Sequence, residues 1–256
     1  MKIRVLGAHN TESAHTKHTC LLVDDILALD AGSLTAGLSF ADQMRIKAVL
    51  ITHGHYDHIR DVPALAMGLF LRRKSVDIYT HQAVYDNITQ YLLNDNLYPE
   101  FHRRPEDNPT LRMHIVEAYR KYDIEAYSVM PAPVAHAIPG LGYQITAADG
   151  KTIFYTGDTG AGLAELWKQV STDVLFIELT APNRWEESAR KTGHFTPNLL
   201  ERELRQMLAI RGSLPRVVTV HINPGDESEI REEIAAVSTS LGVKIEMAYE
   251  GMEVEV

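Results

Sequence analysis

An apolar strand passes into a histidine-rich turn at Ala48-Val49-Leu50-Ile51-Thr52-His53-Gly54-His55-Tyr56-Asp57-His58. Three imidazoles and one carboxylate lie within six positions of this turn, from His53 to His58. Neutral imidazole nitrogen binds zinc-like cations well, and a strand followed by a turn and a helix lets alternate side chains reach one place. A merely polar turn rarely collects so many of these groups. The stretch therefore predicts a metal centre at the end of a strand.

The four side chains of this turn predict two metal positions rather than one. His53 and His55 diverge from Asp57 and His58 after the turn, so a single tetrahedral ion does not use all four. A pair of ions needs further ligands, which we expect at the ends of other strands, where open α/β sheets gather their sites. Three residues fit because each follows an apolar or extended run: His136, Asp158 and His221.

Composition places the chain among ordinary globular proteins and narrows its partners. The sequence has 256 residues, of which 45% are hydrophobic and 23% charged. Its 25 Lys and Arg against 34 Asp and Glu give a net charge of −9, which disfavours sequence-independent nucleic-acid binding and leaves a small anionic substrate possible. Cys20 is the only cysteine, so an intrachain disulfide is excluded. Without a signal-peptide core or a membrane-spanning run, we expect a cytoplasmic protein.

Strand-like and helix-like segments alternate along both halves of the chain. Strands are predicted at Ile3–Leu6, Cys20–Val23, Ile26–Leu29, Ala48–Thr52, Val76–Thr80, Ile124–Val129, Leu141–Thr146, Thr152–Tyr155, Val174–Ile177, Val217–Val220 and Ile245–Ala248. Helices are predicted at Asp61–Arg73, Ala83–Leu93, Leu163–Val170, Pro197–Ile210 and Glu227–Leu241. Phe101–Thr110 is predicted to be a loop, and whether it folds over the site as a lid is left open. No linker is visible, so residues 1–256 are predicted to form a single domain.

Taken in chain order, the chemistry-bearing residues resemble the motifs of the metallo-β-lactamase-fold hydrolases. Leu29-Asp30-Ala31-Gly32 is similar to the first motif and the stretch from His53 to His58 to the second, and His136, Asp158 and His221 follow as the third, fourth and fifth. The resemblance covers essentially the whole chain. It implies an α/β (α+β) fold, a four-layer αββα sandwich with a dinuclear metal site at one sheet edge.

The resemblance also implies a role for each of these residues. One metal would take His53, His55 and His136, the other would take Asp57, His58 and His221, and Asp158 would bridge them. Asp30 would orient a ligand imidazole by hydrogen bonding. The expected cofactors are two divalent ions per chain, zinc first, with manganese or iron as alternatives. The expected nucleophile is a hydroxide that bridges the two metals.

A further histidine points to one branch of these hydrolases. Thr192-Gly193-His194-Phe195-Thr196-Pro197 resembles the GHxT element of the branch that contains ribonuclease Z and the class II cyclic-nucleotide phosphodiesterases. The resemblance makes His194 a candidate general acid, and the alternative is a histidine packed on a helix N-terminus. The residues around Asp158, Glu178-Leu179-Thr180 and His221-Ile222-Asn223 look most like the class II phosphodiesterases, although Tyr56 and Asp61 depart from their usual signature.

Ribonuclease Z itself fits less well, because its long basic arm has no room in the 22 positions between His136 and Asp158. The predicted function is a metal-dependent phosphodiesterase acting on a small phosphodiester such as a cyclic nucleotide, with Asp57, His194 and Asp30 assigned to catalysis. The alternatives are a carbonyl hydrolase (lactonase, thioesterase or β-lactamase-like) and a ribonuclease Z-like enzyme. We expect a small anionic substrate, no extended nucleic-acid surface and no membrane partner, and leave a homo-oligomer open.

Overall fold

The computed structural model, which describes residues 1–256, contains two seven-stranded sheets. The first sheet has the order β14-β1-β2-β3-β4-β5-β6, with β1 Lys2–Gly7, β2 Cys20–Val23, β3 Leu27–Leu29, β4 Ala48–Leu50, β5 Val76–Thr80, β6 Leu111–Ile115 and β14 Glu253–Glu255. The second has the order β13-β12-β11-β10-β9-β8-β7, with β7 Tyr122–Ile124, β8 Tyr127–Pro133, β9 Leu141–Ala147, β10 Thr152–Tyr155, β11 Val174–Glu178, β12 Arg216–Val220 and β13 Ile245–Met247.

Helices cover the outer face of each sheet. On the first sheet these are α1 Phe40–Gln43, α2 Tyr56–Ile59, α3 Val62–Phe70 and α4 Gln82–Asn87, which continues into a π-helical turn at Ile88–Leu92. On the second they are α5 Ala164–Gln169, α6 Glu186–Thr192, which follows a 3₁₀ turn at Asn183–Trp185, α7 Pro197–Arg211 and α8 Glu227–Leu241. No helix is both long enough and apolar enough to cross a membrane.

The two faces of each central strand pack into different cores. Ala48 and Leu50 of β4 lie in the core shared by the two sheets, whereas Val49 lies in the core beneath the first helical layer. Successive side chains of a strand point to opposite faces, so a strand covered on both sides is apolar throughout. The same alternation in β11 separates Phe176 from Leu175. The predicted four-layer αββα sandwich is therefore confirmed.

The parallel strands of both sheets deliver polar residues to one edge. Strands β3 to β6 run parallel in the first sheet and β10 to β13 in the second. Asp30 follows β3, His53 follows β4, Asp158 follows β10 and His221 follows β12. The carboxyl ends of these strands therefore position the candidate site.

Several elements differ from the sequence prediction. The region predicted as one strand, Ile124–Val129, is the hairpin β7–β8, with a turn at Glu125 and Ala126. Strands β6 and β14 and helix α6 were not predicted. Phe101–Thr110 contains no helix or strand, as predicted, but it lies away from the site: the Thr110 carbonyl accepts a hydrogen bond from Val76 N (2.9 Å), at the amino end of β5. This position does not suit a lid.

Candidate metal centre

Three imidazoles converge at the carboxyl end of β4. His55 Nδ1 lies 3.1 Å from His53 Nε2 and 3.2 Å from His136 Nε2. Asp158 Oδ2 lies 3.6 Å from His53 Nε2. The ligand atoms of these four residues all lie within 4.8 Å of one another, a grouping that suits one metal ion.

A second group lies beside the first. His221 Nε2 is 3.3 Å and His58 Nε2 is 3.5 Å from Asp57 Oδ2, and the three residues also offer ligand atoms within 4.8 Å of one another. The Asp158 carboxylate faces both groups: its Oδ2 is the atom 3.6 Å from His53 Nε2 of the first group, and in the second group its Oδ1 lies 3.2 Å from His58 Nε2 and its Oδ2 lies 3.2 Å from His221 Nε2. The structure thus brings together all seven residues that the sequence predicted as ligands.

Unusual backbone conformations shape this edge. Asp30 and His221 both have positive φ, 60° and 62°, which non-glycine residues seldom adopt and which concentrate at functional sites. Gly157 also has positive φ, and a Cβ there would lie 2.7 Å from the Thr52 side chain. A glycine is therefore needed where the end of β10 approaches the end of β4.

Hydrogen bonds on the first sheet fix two of the imidazoles. Asp30 Oδ2 accepts from His58 Nδ1 at 2.7 Å and from the Tyr155 hydroxyl at 2.7 Å. The Thr52 hydroxyl donates to Asp30 at 2.9 Å and lies 3.0 Å from His53 Nδ1. Since the single hydroxyl proton goes to Asp30, Thr52 accepts from His53. Both imidazoles therefore carry their proton on Nδ1 and turn a lone pair on Nε2 toward the centre.

The second sheet repeats this arrangement with a glutamate. The Thr180 hydroxyl donates to Glu178 Oε2 at 2.8 Å and lies 2.8 Å from His221 Nδ1, so it accepts from His221. His136 Nδ1 donates to the Gly193 carbonyl at 3.0 Å. His221 and His136 thus also present Nε2 lone pairs. No role was predicted for Thr52, Tyr155, Glu178 or Thr180. The available signal in the sequence was a glutamate that ends the apolar run of β11.

The donor set fits divalent cations. His58 Nε2 and Asp158 Oδ1 are buried and lie 3.2 Å apart, but with the His58 proton on Nδ1 both are acceptors and neither has a hydrogen-bond donor, which is costly unless a cation lies between them. Burial, together with repulsion from neighbouring imidazoles, lowers the pKa of His53, His55 and His136, which keeps them neutral and able to ligate. Asp158 remains ionised, because His221, His58 and His53 hold its pKa well below the usual value despite burial.

His194 lies against this cluster. Its ring stacks on His221, with centroids 5.6 Å apart, and meets the edge of His136 at 5.0 Å. His194 Nδ1 donates to Glu178 Oε1 at 2.8 Å. Burial alone would lower the pKa of His194, but the Glu178 carboxylate raises it to about 9. His194 is therefore held as an imidazolium at neutral pH, with Nε2 left for another partner.

The two departures from the phosphodiesterase signature lie outside the ligand groups. The Tyr56 side chain is exposed, and Asp61 accepts hydrogen bonds from the backbone of Thr35 and Ala36.

A cavity of about 360 Å³ opens beside His136 and His194. A second cavity, of about 300 Å³, also borders His194.

This arrangement of sandwich and histidine cluster matches a known family. The family described as Beta-lactamase superfamily domain matches residues 28–222. The chain belongs to the β-lactamase superfamily. The match extends from β3 past His221, so it contains every residue predicted as a ligand.

Curated relatives of this superfamily member include several ribonucleases Z. The protein of Pyrococcus abyssi is 28% identical over 138 residues, which are 51% of this chain and 41% of that protein. The protein of Thermococcus kodakarensis is 25% identical over 223 residues, or 80% of this chain and 67% of that protein. The chain thus spans less than half the length of the first of these relatives.

Solved structures extend the likeness over the whole chain. Unliganded yeast PDE1 superposes with a TM-score of 0.86 at 16% identity, covering 100% of this chain and 99% of that one. The short form of human tRNase Z gives a TM-score of 0.72 at 18% identity, covering 100% and 99%. Together with the family match, these findings confirm the predicted metallo-β-lactamase fold and the resemblance to proteins of the ribonuclease Z and phosphodiesterase branch.

Proposed function

We propose that this protein is a metal-dependent phosphodiesterase that cleaves a small phosphodiester, with a cyclic nucleotide as the leading candidate. The observation that carries this proposal is the position of His194, whose ring lies against the ligand cluster while its Nδ1 is bound to Glu178. A general acid beside the metals would speed a reaction whose leaving group departs slowly unless it is protonated. Phosphodiesters with alkoxide leaving groups meet that description.

The proposed ligands are those predicted from the sequence. His53, His55 and His136 would hold one divalent ion, Asp57, His58 and His221 the other, and Asp158 would contact both. Zinc is our first choice because the donors are mostly imidazoles, while manganese and iron also accept this set. When bound, such ions would activate a water molecule as the nucleophile and stabilise the charge that develops on the phosphate oxygens.

The protein's own groups would complete the reaction. His194 carries a proton on each nitrogen in its charged form, and Nδ1–H is held by Glu178. Nε2–H is then free to donate to the departing oxygen, which leaves as an alcohol while the imidazole becomes neutral. Glu178 keeps the ring in place and favours the protonated state before the proton is transferred. Asp30 would act only through the orientation of His58 and, by way of Thr52, of His53.

A small substrate is favoured over a large RNA. Strands β9 and β10, between His136 and Asp158, are joined by the four residues Ala148 to Lys151, so no arm extends from this position. The two cavities beside His194 measure about 360 and 300 Å³. These volumes lie at the lower end of the range for small-molecule sites, about 300–1,000 Å³. The net charge of −9 also disfavours a broad nucleic-acid surface.

Substrate profiling of metal-loaded protein tests the proposal. We would compare 3′,5′-cyclic AMP and GMP, bis(p-nitrophenyl) phosphate, a precursor tRNA, a lactone, a thioester and a β-lactam at matched concentrations. The proposal predicts that the highest kcat/KM belongs to a small phosphodiester. Faster turnover of the lactone or thioester would instead assign carbonyl hydrolysis, and preferred cleavage of precursor tRNA would assign a ribonuclease Z-like activity. Apo protein is the control.

A further inference from the structure

Trp185 presents a large aromatic surface close to the candidate site. It ends the 3₁₀ turn that precedes α6, and 52% of its surface is exposed. The other tryptophan, Trp167 of α5, is fully buried. A single exposed aromatic residue is common on protein surfaces, so exposure alone assigns no role to Trp185. Its contact with Arg184 and the cavity that it lines point to a binding role.

The indole is held in place by an anchored guanidinium. Arg184 Cζ lies 5.8 Å from the centre of the Trp185 ring, a cation–π contact. Arg184 is itself fixed by Asp226, at 2.6 Å, and by Glu229 of α8. The position of the indole is thereby restricted before any ligand arrives, which reduces the entropy lost on binding.

The turn that carries Trp185 is tied to the two long helices of the second sheet. Asn183 N donates to Glu233 of α8 at 2.8 Å, and Asn183 Oδ1 accepts from Asn198 N, in the first turn of α7, at 2.8 Å. These contacts make the turn part of the rigid helical layer. Trp185 is therefore an aromatic surface on a firm support rather than the tip of a mobile loop.

The cavity beside Trp185 reaches His194. Its volume is about 300 Å³, and its lining includes Trp185, His194 and Thr180. Ser188 and Asn223 add a hydroxyl and an amide to its lining. A flat face beside a few polar groups suits a planar heterocycle with donors and acceptors on its edge. The larger cavity that borders His194 has no aromatic side chain besides imidazoles in its lining.

We propose that Trp185 is a stacking surface for the base of a nucleotide substrate and thus determines the substrate class of the site. This inference rests on the proposed phosphodiesterase function, because it assigns the non-reacting part of that substrate. The base would stack on the indole while the phosphate lies at the histidine cluster beyond His194. Bases stack on aromatic side chains regardless of identity, so we expect little discrimination between adenine and guanine.

Kinetics of Trp185→Ala and Trp185→Phe test the inference. For cyclic AMP and cyclic GMP, Trp185→Ala should raise KM by about 10–100-fold, as loss of base stacking does elsewhere, with kcat changed by less than about threefold. A methyl riboside 3′,5′-cyclic phosphate, which keeps the reacting phosphodiester but has no base or other aromatic ring, should keep its KM. Trp185→Phe should restore most of the affinity. Phe40→Ala, at an exposed aromatic residue on α1, is the matched control.

Fluorescence gives a readout that is independent of turnover. Since Trp167 is buried, an added ligand that stacks should quench mainly the emission of Trp185. Titration of the zinc-loaded protein with GMP should quench this emission saturably, whereas ribose 5-phosphate should not. Equal responses to both probes, or an unchanged KM in Trp185→Ala, would overturn the stacking role while phosphodiester hydrolysis stands. Saturable quenching by GMP in a protein that cleaves no phosphodiester would instead refute the proposed function alone.

Discussion

Asp30 Oδ2 accepts a hydrogen bond from His58 Nδ1 at 2.7 Å, and both side chains are completely buried. The same carboxylate receives the hydroxyls of Tyr155 and Thr52, and Thr52 in turn accepts from His53. One aspartate on the first sheet therefore sets the tautomer of two candidate ligands, one in each metal group. On the second sheet, Glu178 accepts hydrogen bonds from the Thr180 hydroxyl and from His194 Nδ1, and so fixes the groups around it in a similar way.

Asp30→Asn should weaken metal binding without unfolding the protein. Asparagine tolerates positive φ and keeps the volume of the side chain, but its neutral amide no longer attracts the Nδ1 proton of His58. We expect metal affinity or hydrolysis to fall by about 10–100-fold, as for other residues that orient metal ligands. Competition with a chelating dye measures the affinity. Asp24→Asn is the matched control, because Asp24 also accepts a tyrosine hydroxyl, that of Tyr127, at 2.6 Å. Equal affinities in both variants would refute the role of Asp30.

The metal content of the protein should show whether Asp158 is a metal ligand. In zinc-reconstituted protein we expect two ions per chain by elemental analysis, because seven donors exceed the four of one tetrahedral site. Asp158→Asn should bind fewer than two ions and lose more than about 100-fold in kcat/KM, with an unchanged circular dichroism spectrum. Chelation of the wild type should abolish hydrolysis, and zinc should restore it. Full activity at one ion per chain would contradict the dinuclear assignment.

A pH-dependent contribution to stability is expected from His9. Its Nδ1 lies 2.7 Å from Glu250 and its Nε2 lies 3.4 Å from Glu227. Burial lowers the pKa of His9, but the two carboxylates outweigh it and the net shift is upward, while the His9 contact lowers the pKa of Glu250 against burial. The histidine's contribution is therefore complete below its unfolded pKa, near 6.5, and disappears as pH rises through the higher folded value.

Glu250→Gln isolates this contribution. At pH 6 we expect the free energy of unfolding of the variant to be about 1–3 kcal/mol lower than that of the wild type, because a buried charged group loses its partner. The difference should shrink as pH increases through the folded pKa of His9 and neutral histidine predominates. Denaturant unfolding at several pH values measures it, and Glu255→Gln, at an exposed residue of β14, is the control. A difference that does not vary with pH would exclude protonation of His9 as its source.

The sequence was most informative where one local pattern carries the chemistry. The stretch from His53 to His58 predicted the metal cluster, and apolar runs predicted the central strands, because both signals arise from neighbouring residues. The residues that hydrogen-bond to the ligands were missed because they lie far apart in the sequence. Thr52 and Tyr155 lie 103 positions apart yet meet at Asp30, a contact created only when the two sheets pack together.

Elements without an apolar pattern were also missed. Helix α6 buries only Ala189 and is supported by ion pairs such as Glu186–Arg190, so it has no apolar face for periodicity to detect. Strand β14 consists of Glu253, Val254 and Glu255, and its pairing with β1 defines it as a strand. In such places tertiary contacts decide the structure.

His194→Ala separates acid catalysis from metal chemistry. His194 is not among the seven proposed ligands, so the variant should retain both ions. If Nε2–H protonates the departing oxygen, hydrolysis of a cyclic nucleotide should slow by roughly 100-fold or more, since an alkoxide leaves poorly without a proton. Hydrolysis of bis(p-nitrophenyl) phosphate should slow far less, because nitrophenolate leaves readily as an anion.

The ratio of these two losses is the decisive quantity. Damage to the metals would slow both substrates alike, whereas loss of the acid slows only the one with the poor leaving group. Glu178→Gln should show the same selectivity in weaker form, since the neutral amide stabilises the imidazolium less than the carboxylate does. Its rate for the cyclic nucleotide should therefore decline at a lower pH than that of the wild type, as His194 loses its proton earlier. Equal losses on both substrates in His194→Ala, with the ions retained, would remove His194 from the role of general acid.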